Sequence, residues 1–131
     1  MDDSQRPPMR LSGPVLGALD PVALAEFYER LLGWPVAERE QGWAVIRNPA
    51  ARQKIEFQYE PFFVPPVWPP INGEQQLLSH LDIGVPDLEA GVAWAIAAGA
   101  TEADHQPQDD VRVMRDPAGQ LFCLFADEPE S

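Results

Sequence analysis

Six side chains of this 131-residue chain combine reactive chemistry with informative spacing: Glu56, Gln58, His80, Asp82, Arg112 and Cys123. A histidine moves protons near neutral pH, and burial can raise a glutamate towards it. Glu56 and His80 would therefore make an acid–base pair for a small carbonyl or enolisable compound. Each residue also has a plainer role. Glu56 and Gln58 suit the wet face of an antiparallel sheet. His80 suits a structural histidine capping a loop, and Asp82 suits a bond to nearby backbone or to Arg112. Cys123 is the only cysteine. It reads as a small buried hydrophobe rather than a nucleophile, because no histidine stands near it in sequence. His105 reads as loop surface and Asp109-Asp110 as a solvated turn.

Period-two alternation sorts these side chains by face, since neighbouring residues of a strand point to opposite sides. In Lys54–Glu60, Ile55, Phe57 and Tyr59 form an apolar set for the core, leaving Glu56 and Gln58 on the other side. In Leu78–Val85, Leu81, Ile83 and Val85 are core, leaving His80, Asp82 and Gly84. In Val111–Arg115, Val111 and Val113 are taken as core, leaving Arg112 and Met114. In Phe122–Phe125, Phe122 and Leu124 are core, leaving Cys123 and Phe125. A leading strand offers Gly13, Val15 and Gly17, whose small side chains leave volume. The expectation is one shared cavity holding Glu56, Gln58, His80 and Arg112, floored by Gly13, Val15 and Gly17 and partly closed by Trp68. Asp82, Met114 and Phe125 complete the candidate ligand-binding set.

The elements that must position these residues come in two matching runs. Asp20-Pro21 opens an apolar-periodic stretch ending at Gly33, and Asp87 opens a second ending at Gly99. Asp is a helix N-cap, Pro is tolerated in the first turn, and Gly stops a helix. Leu24, Phe27, Tyr28, Leu31 and Leu32 fall at i, i+3, i+4, i+7 and i+8, one face of a helix. Leu88, Val92, Ala95 and Ile96 give the second helix a weaker stripe. Arg47-Asn48-Pro49-Ala50 answers Arg115-Asp116-Pro117-Ala118, both turns, and a β-like run follows each. With Leu11–Leu19 and Leu78–Val85 as leading strands, each half reads strand–helix–strand–strand–strand; Thr101–Asp110 is included as a strand. Five prolines between Pro61 and Pro70 exclude helix and central strand there. They make an extended connector that Phe62 and Trp68 anchor by packing. The bounds are module one at about 9–60, connector 61–76 and module two at about 77–127, in one domain of the usual size.

Composition narrows the partners. A formal charge of −12 opposes phosphate backbones and anionic lipid, which need a basic face, so neither nucleic acid nor membrane is expected. The polar stretch Met1–Arg10 has no apolar segment of the kind that leads secretion. With a lone cysteine excluding an internal disulfide, the expected compartment is the cytoplasm.

Three motifs carry a family resemblance. Ala23-Leu24-Ala25-Glu26-Phe27-Tyr28-Glu29-Arg30-Leu31-Leu32-Gly33-Trp34 resembles the first helix of the glyoxalase/bleomycin-resistance (vicinal oxygen chelate) superfamily. His80-Leu81-Asp82-Ile83-Gly84-Val85-Pro86-Asp87-Leu88-Glu89 is similar to the opening of its second module, and Asp116-Pro117-Ala118-Gly119-Gln120-Leu121-Phe122-Cys123-Leu124 to its closing turn and strand. The resemblance implies an α+β fold of two tandem βαβββ modules, with curled mixed sheets around a common cleft and helices outside. It implies nothing narrower about activity, because the superfamily hosts lyases, isomerases, dioxygenases and antibiotic-binding proteins. Its metal-using members place one ligand on each of four strands, and those positions fall here on Gly13, Glu56, His80 and Cys123. Gly13 offers no ligand, and Cys123 puts a thiol where a carboxylate stands. Mg²⁺, Ni²⁺ or Fe²⁺ normally want three or more protein ligands of oxygen or imidazole type. No cofactor is therefore expected; a divalent metal, if held, would be Zn²⁺ on Glu56, His80 and Cys123.

Three functions follow. The first is a binding module that sequesters or delivers a small organic molecule. The second is a metal-free or weakly metal-dependent lyase or isomerase working through His80 and Glu56. The third is a homodimeric scaffold with a vestigial cleft.

Overall fold

A computed structural model describes residues 3–127. After a short 3₁₀ turn at Asp3–Gln5, the elements run β1 (Val15–Ala18), α1 (Pro21–Leu32), β2 (Val36–Glu40), β3 (Trp43–Arg47), β4 (Lys54–Tyr59), β5 (Leu81–Val85), α2 (Leu88–Ala98), β6 (Thr101–Glu102), β7 (Val111–Arg115) and β8 (Leu121–Ala126). This is the tandem βαβββ order. The two sheets repeat one topology, β1-β4-β3-β2 and β5-β8-β7-β6, and stay open, curled around a cleft. In each, the leading strand pairs in parallel with the last strand of its module, and the remaining pairs are antiparallel.

The repeat extends to single hydrogen bonds. Asp20 accepts from the Ala23 amide and Asp87 from the Ala90 amide, both at 3.1 Å, so each helix has the same side-chain cap. Gly33 ends α1 in the left-handed region at φ 74°, where a Cβ would be strained. The Asn48 and Asp116 side chains accept from the amides of Ala50 and Ala118, at 2.9 and 3.0 Å. These are equivalent Asx turns that reverse the chain before β4 and β8.

Both modules share one core. Phe27 and Tyr28 of α1 lie 6.1 and 6.0 Å from the Phe122 ring of β8, centroid to centroid, and Tyr28 stacks on Phe57 at 5.7 Å. Arg30 donates twice to the Ala98 carbonyl, and the Trp94 indole donates to the Leu31 carbonyl, tying α1 to α2. Among the described residues, no buried side-chain nitrogen or oxygen lacks a partner.

The structure corrects several sequence expectations. The leading strands are Val15–Ala18 and Leu81–Val85 rather than Leu11–Leu19 and Leu78–Val85. Pro14 has no N–H for the ladder; its carbonyl accepts from Glu56, and pairing begins at Val15. The proposed strand Thr101–Asp110 reduces to Thr101–Glu102. Beyond it the Ala103 amide still donates to the Val113 carbonyl at 3.0 Å, and then a side chain takes over: Gln106 accepts from the Val113 amide at 2.8 Å and donates to that carbonyl at 2.9 Å. Tyr59 and Ile96, expected in the core, are each about half exposed. Phe62 is 90% exposed, so it does not anchor the connector.

The largest correction is the phase of β7. Val113 pairs with Cys123 and Val111 with Phe125, while Met114 pairs with Phe122 and Arg112 with Leu124. Directly paired residues share a face. Met114 is therefore in the helix-side core, fully buried, and Val111 and Val113 face the cleft side. Arg112 points away from the cleft, with its guanidinium 3.7 Å from Glu102 and donating to the carbonyls of Gln108 and Asp109.

Candidate functional site

The connector decides which part of the cleft side is open. Trp68 and Leu77 pack on Val113, Leu121 and Cys123, covering the middle of the second sheet. The Trp68 indole donates to the His105 carbonyl at 2.9 Å and its ring lies 5.8 Å from the His105 imidazole. Trp68 is thus a packing anchor. His105, expected as bare loop surface, is the post that holds it.

What remains open is a cavity of about 620 Å³ where the two modules meet. Its walls are the β1 segment from Pro14 to Gly17, both ends of the connector, and the chain entering β5. Phe62, Phe63 and Leu77 are among its apolar groups, and Gln75, Gln76, Ser79, His80 and Gln120 are its polar ones. The exposed Phe62 ring is thereby a wall of this cavity. Val15, Gly17 and His80 share the cavity as the sequence suggested, whereas Glu56, Gln58, Asp82, Arg112, Met114, Phe125 and Trp68 do not line it.

Glu56 is engaged elsewhere. Its carboxylate receives the Lys54 ammonium at 2.7 Å, with both side chains mostly covered. Gln58 donates to Glu60, which lies across Gly17 so closely that a Cβ there would overlap its side chain. His80 instead meets Asp82, Nε2 to Oδ1 at 3.1 Å. The parallel register sets Asp82 beside Cys123, and one pleat places His80 next to Asp82 on the same face. Ligand atoms of these three residues lie within 4.8 Å of one another. Phe125 lies further along this face, its ring close to Gly84. Burial, and then the Asp82 charge, push the Cys123 thiol up, which favours the neutral, unreactive form.

One buried pair was not visible as a unit in the sequence. Tyr28, at the cavity floor, donates to Asp116 at 2.8 Å. Burial pushes the Asp116 carboxyl up to about 6, while hydrogen bonds from Tyr28 and the Gln120 and Ala118 amides hold it down. The Tyr28 phenol is pushed well above its ordinary value, by burial first and by Asp116 second. Each residue had been placed separately, in a helix stripe and in a turn; only the packing of one module on the other joins them.

The model of the glyoxalase-like domain family matches residues 14–125, nearly the whole chain. The chain belongs to that family. No protein of curated function matches it. Solved structures similar to this glyoxalase-like domain include a glyoxalase/bleomycin resistance protein/dioxygenase family enzyme from Burkholderia phytofirmans, 19% identical with a TM-score of 0.64, over 86% of this chain and 94% of that one. A fosfomycin resistance protein from Listeria monocytogenes, solved as a variant with Mn(II) and a dihydroxypropylphosphonic acid, is 13% identical with a TM-score of 0.66, over 89% of each chain. A bleomycin resistance determinant encoded on the transposon Tn5 is 23% identical with a TM-score of 0.58, over 92% of this chain and all of that one. At such identities the likeness is one of fold. No helix among the described residues is long and apolar enough to cross a membrane.

Proposed function

We propose that this glyoxalase-like domain binds a small organic molecule in the cavity between β1 and β5. The observation that carries the reading is the cavity itself: about 620 Å³, with apolar walls interrupted by several polar side chains, His80 among them. That is the usual make-up of a small-molecule site. The ligand class is an uncharged or weakly polar organic compound, since no lysine or arginine lines the cavity. Sequestration or delivery inside the cell suits such a cup.

Native mass spectrometry of freshly purified protein, followed by titration with whatever copurifies, tests this directly. Val15 is half exposed at the wall, so Val15→Trp should fill the cavity and abolish binding with little loss of stability. His80→Ala should weaken binding about threefold to tenfold, the worth of one hydrogen bond. Undiminished binding by both variants would remove the ligand from this cavity and leave the homodimeric scaffold as the better reading. In that case the exposed Trp94 and Ile96 of α2 offer apolar area for a second copy.

The cluster of three donors favours a second reading, a weakly metal-dependent lyase or isomerase. The acid–base version through Glu56 loses support, because Lys54 holds that carboxylate outside the cavity. His80, Asp82 and Cys123 are ligand types that Zn²⁺ accepts, and a bound ion would polarise a substrate carbonyl. Against it stands the raised Cys123 thiol, which must lose its proton to ligate. Protein purified without added ions is therefore expected to carry well under one transition metal per chain by elemental analysis. One metal per chain, lost in His80→Ala, would reverse the order of the two readings.

A further inference from the structure

A second cavity, also of about 620 Å³, opens at the far end of the first sheet. Its walls are the arm entering β1 and the turn between β3 and β4, and it is lined by Arg10, Ser12, Arg47, Asn48, Arg52 and Lys54 among others. The chain has only nine lysines and arginines against twenty-one acids, yet four of the nine meet here and, among the described residues, no acidic one lines the cavity. Like charges gathered around one space repel one another unless an anion joins them.

Two of the four are already balanced. Lys54 binds Glu56 at 2.7 Å, and Arg47 lies 3.7 Å from Glu38. Arg10 and Arg52 have no carboxylate within salt-bridge distance among the described residues. Among the described residues the uncompensated charge is therefore two positive units, both guanidinium, in a cavity that Ser12 also lines. A phosphate monoester carries about −2 at neutral pH and three strong acceptor oxygens. Guanidinium groups match its oxygens in pairs, better than they match a point charge.

We propose that this cavity is an anion site, distinct from the cavity at the module junction, that takes the phosphate group of a small phosphate monoester. Arg10 and Arg52 supply the charge, Ser12 a neutral donor, and the ion pairs of Arg47 and Lys54 keep those two side chains in place. The strongly acidic remainder of the protein repels anions elsewhere on its surface, so binding should be confined to this point.

The test is titration of the full chain with inorganic phosphate at low ionic strength, followed by calorimetry or amide NMR. The expected result is saturation at one phosphate per chain, with Arg10→Gln and Arg52→Gln each weakening it by about tenfold, roughly one charge-assisted contact. Arg39→Gln removes the same charge outside the cavity, where Arg39 pairs with Glu26, and should leave binding unchanged. His80→Ala should also leave it unchanged, which separates this site from the organic-ligand cavity. Arg10 and Arg52 are exposed, so an unaltered thermal midpoint is expected for both variants. Acetate should bind at least about tenfold more weakly than phosphate, because it offers a single charge. Absence of saturation, equal binding of acetate, or equal weakening by Arg39→Gln would overturn the proposal.

Discussion

Truncating Phe122 to alanine is expected to destabilise the protein by about 3–5 kcal/mol, the usual cost of deleting a fully buried aromatic ring. Phe122 is fully buried where the modules meet, against Phe27 and Tyr28 of α1. Loss of the ring removes contacts made by both halves, and the short, close-packed elements around it cannot collapse to fill the void. Against a total stability of about 5–15 kcal/mol for an ordinary domain, that is a large fraction. Urea unfolding monitored by fluorescence and by circular dichroism would read it. Phe125→Ala, at a partly exposed position of the same strand, should cost clearly less. A Phe122→Ala loss below about 1 kcal/mol would mean that the modules do not depend on their shared core.

Asp116 should impose a pH dependence of unusual sign. Its carboxyl is raised from 3.8 to about 6, chiefly by burial. Between those values the folded protein holds a proton that the unfolded chain has released. The contribution of this group is therefore fully present below about pH 4, declines as pH rises, and is lost above about pH 6. A shift of roughly two units corresponds to about 3 kcal/mol, and the side chain is only 4% exposed, so solvent screens little of it. Asp116→Asn mimics the protonated form and lacks the titration. The stability of the wild type minus that of Asp116→Asn should thus fall by about 3 kcal/mol between pH 4 and pH 7. A difference that rises with pH would show that the hydrogen bonds from Tyr28, Ala118 and Gln120 outweigh the cost of burial.

The sequence by itself determined the local elements and their repetition. Asp20, Asp87, Gly33 and Gly99 mark helix ends through bonds made within a few residues, and the Asn48 and Asp116 turns are equally local. Strand phase was legible wherever one face was apolar and the other polar, as in β4, where Ile55 and Phe57 are buried and Gln58 is exposed. It failed in β7. There the helix-side core covers Met114 while Trp68 and Leu77 cover Val113 from the other side. A strand apolar on both faces carries no alternation to read.

Tertiary structure alone decided which side chains meet. His80, Asp82 and Cys123 share one face of the second sheet, but their convergence depends on the register of β5 against β8. The separation of Glu56 from His80 depends on how the two sheets are set about α1, and on Lys54 capturing the carboxylate. The Tyr28–Asp116 bond spans 88 residues. The first convergence is fixed by strand pairing inside the second module, and the Tyr28–Asp116 bond by the packing of one module against the other.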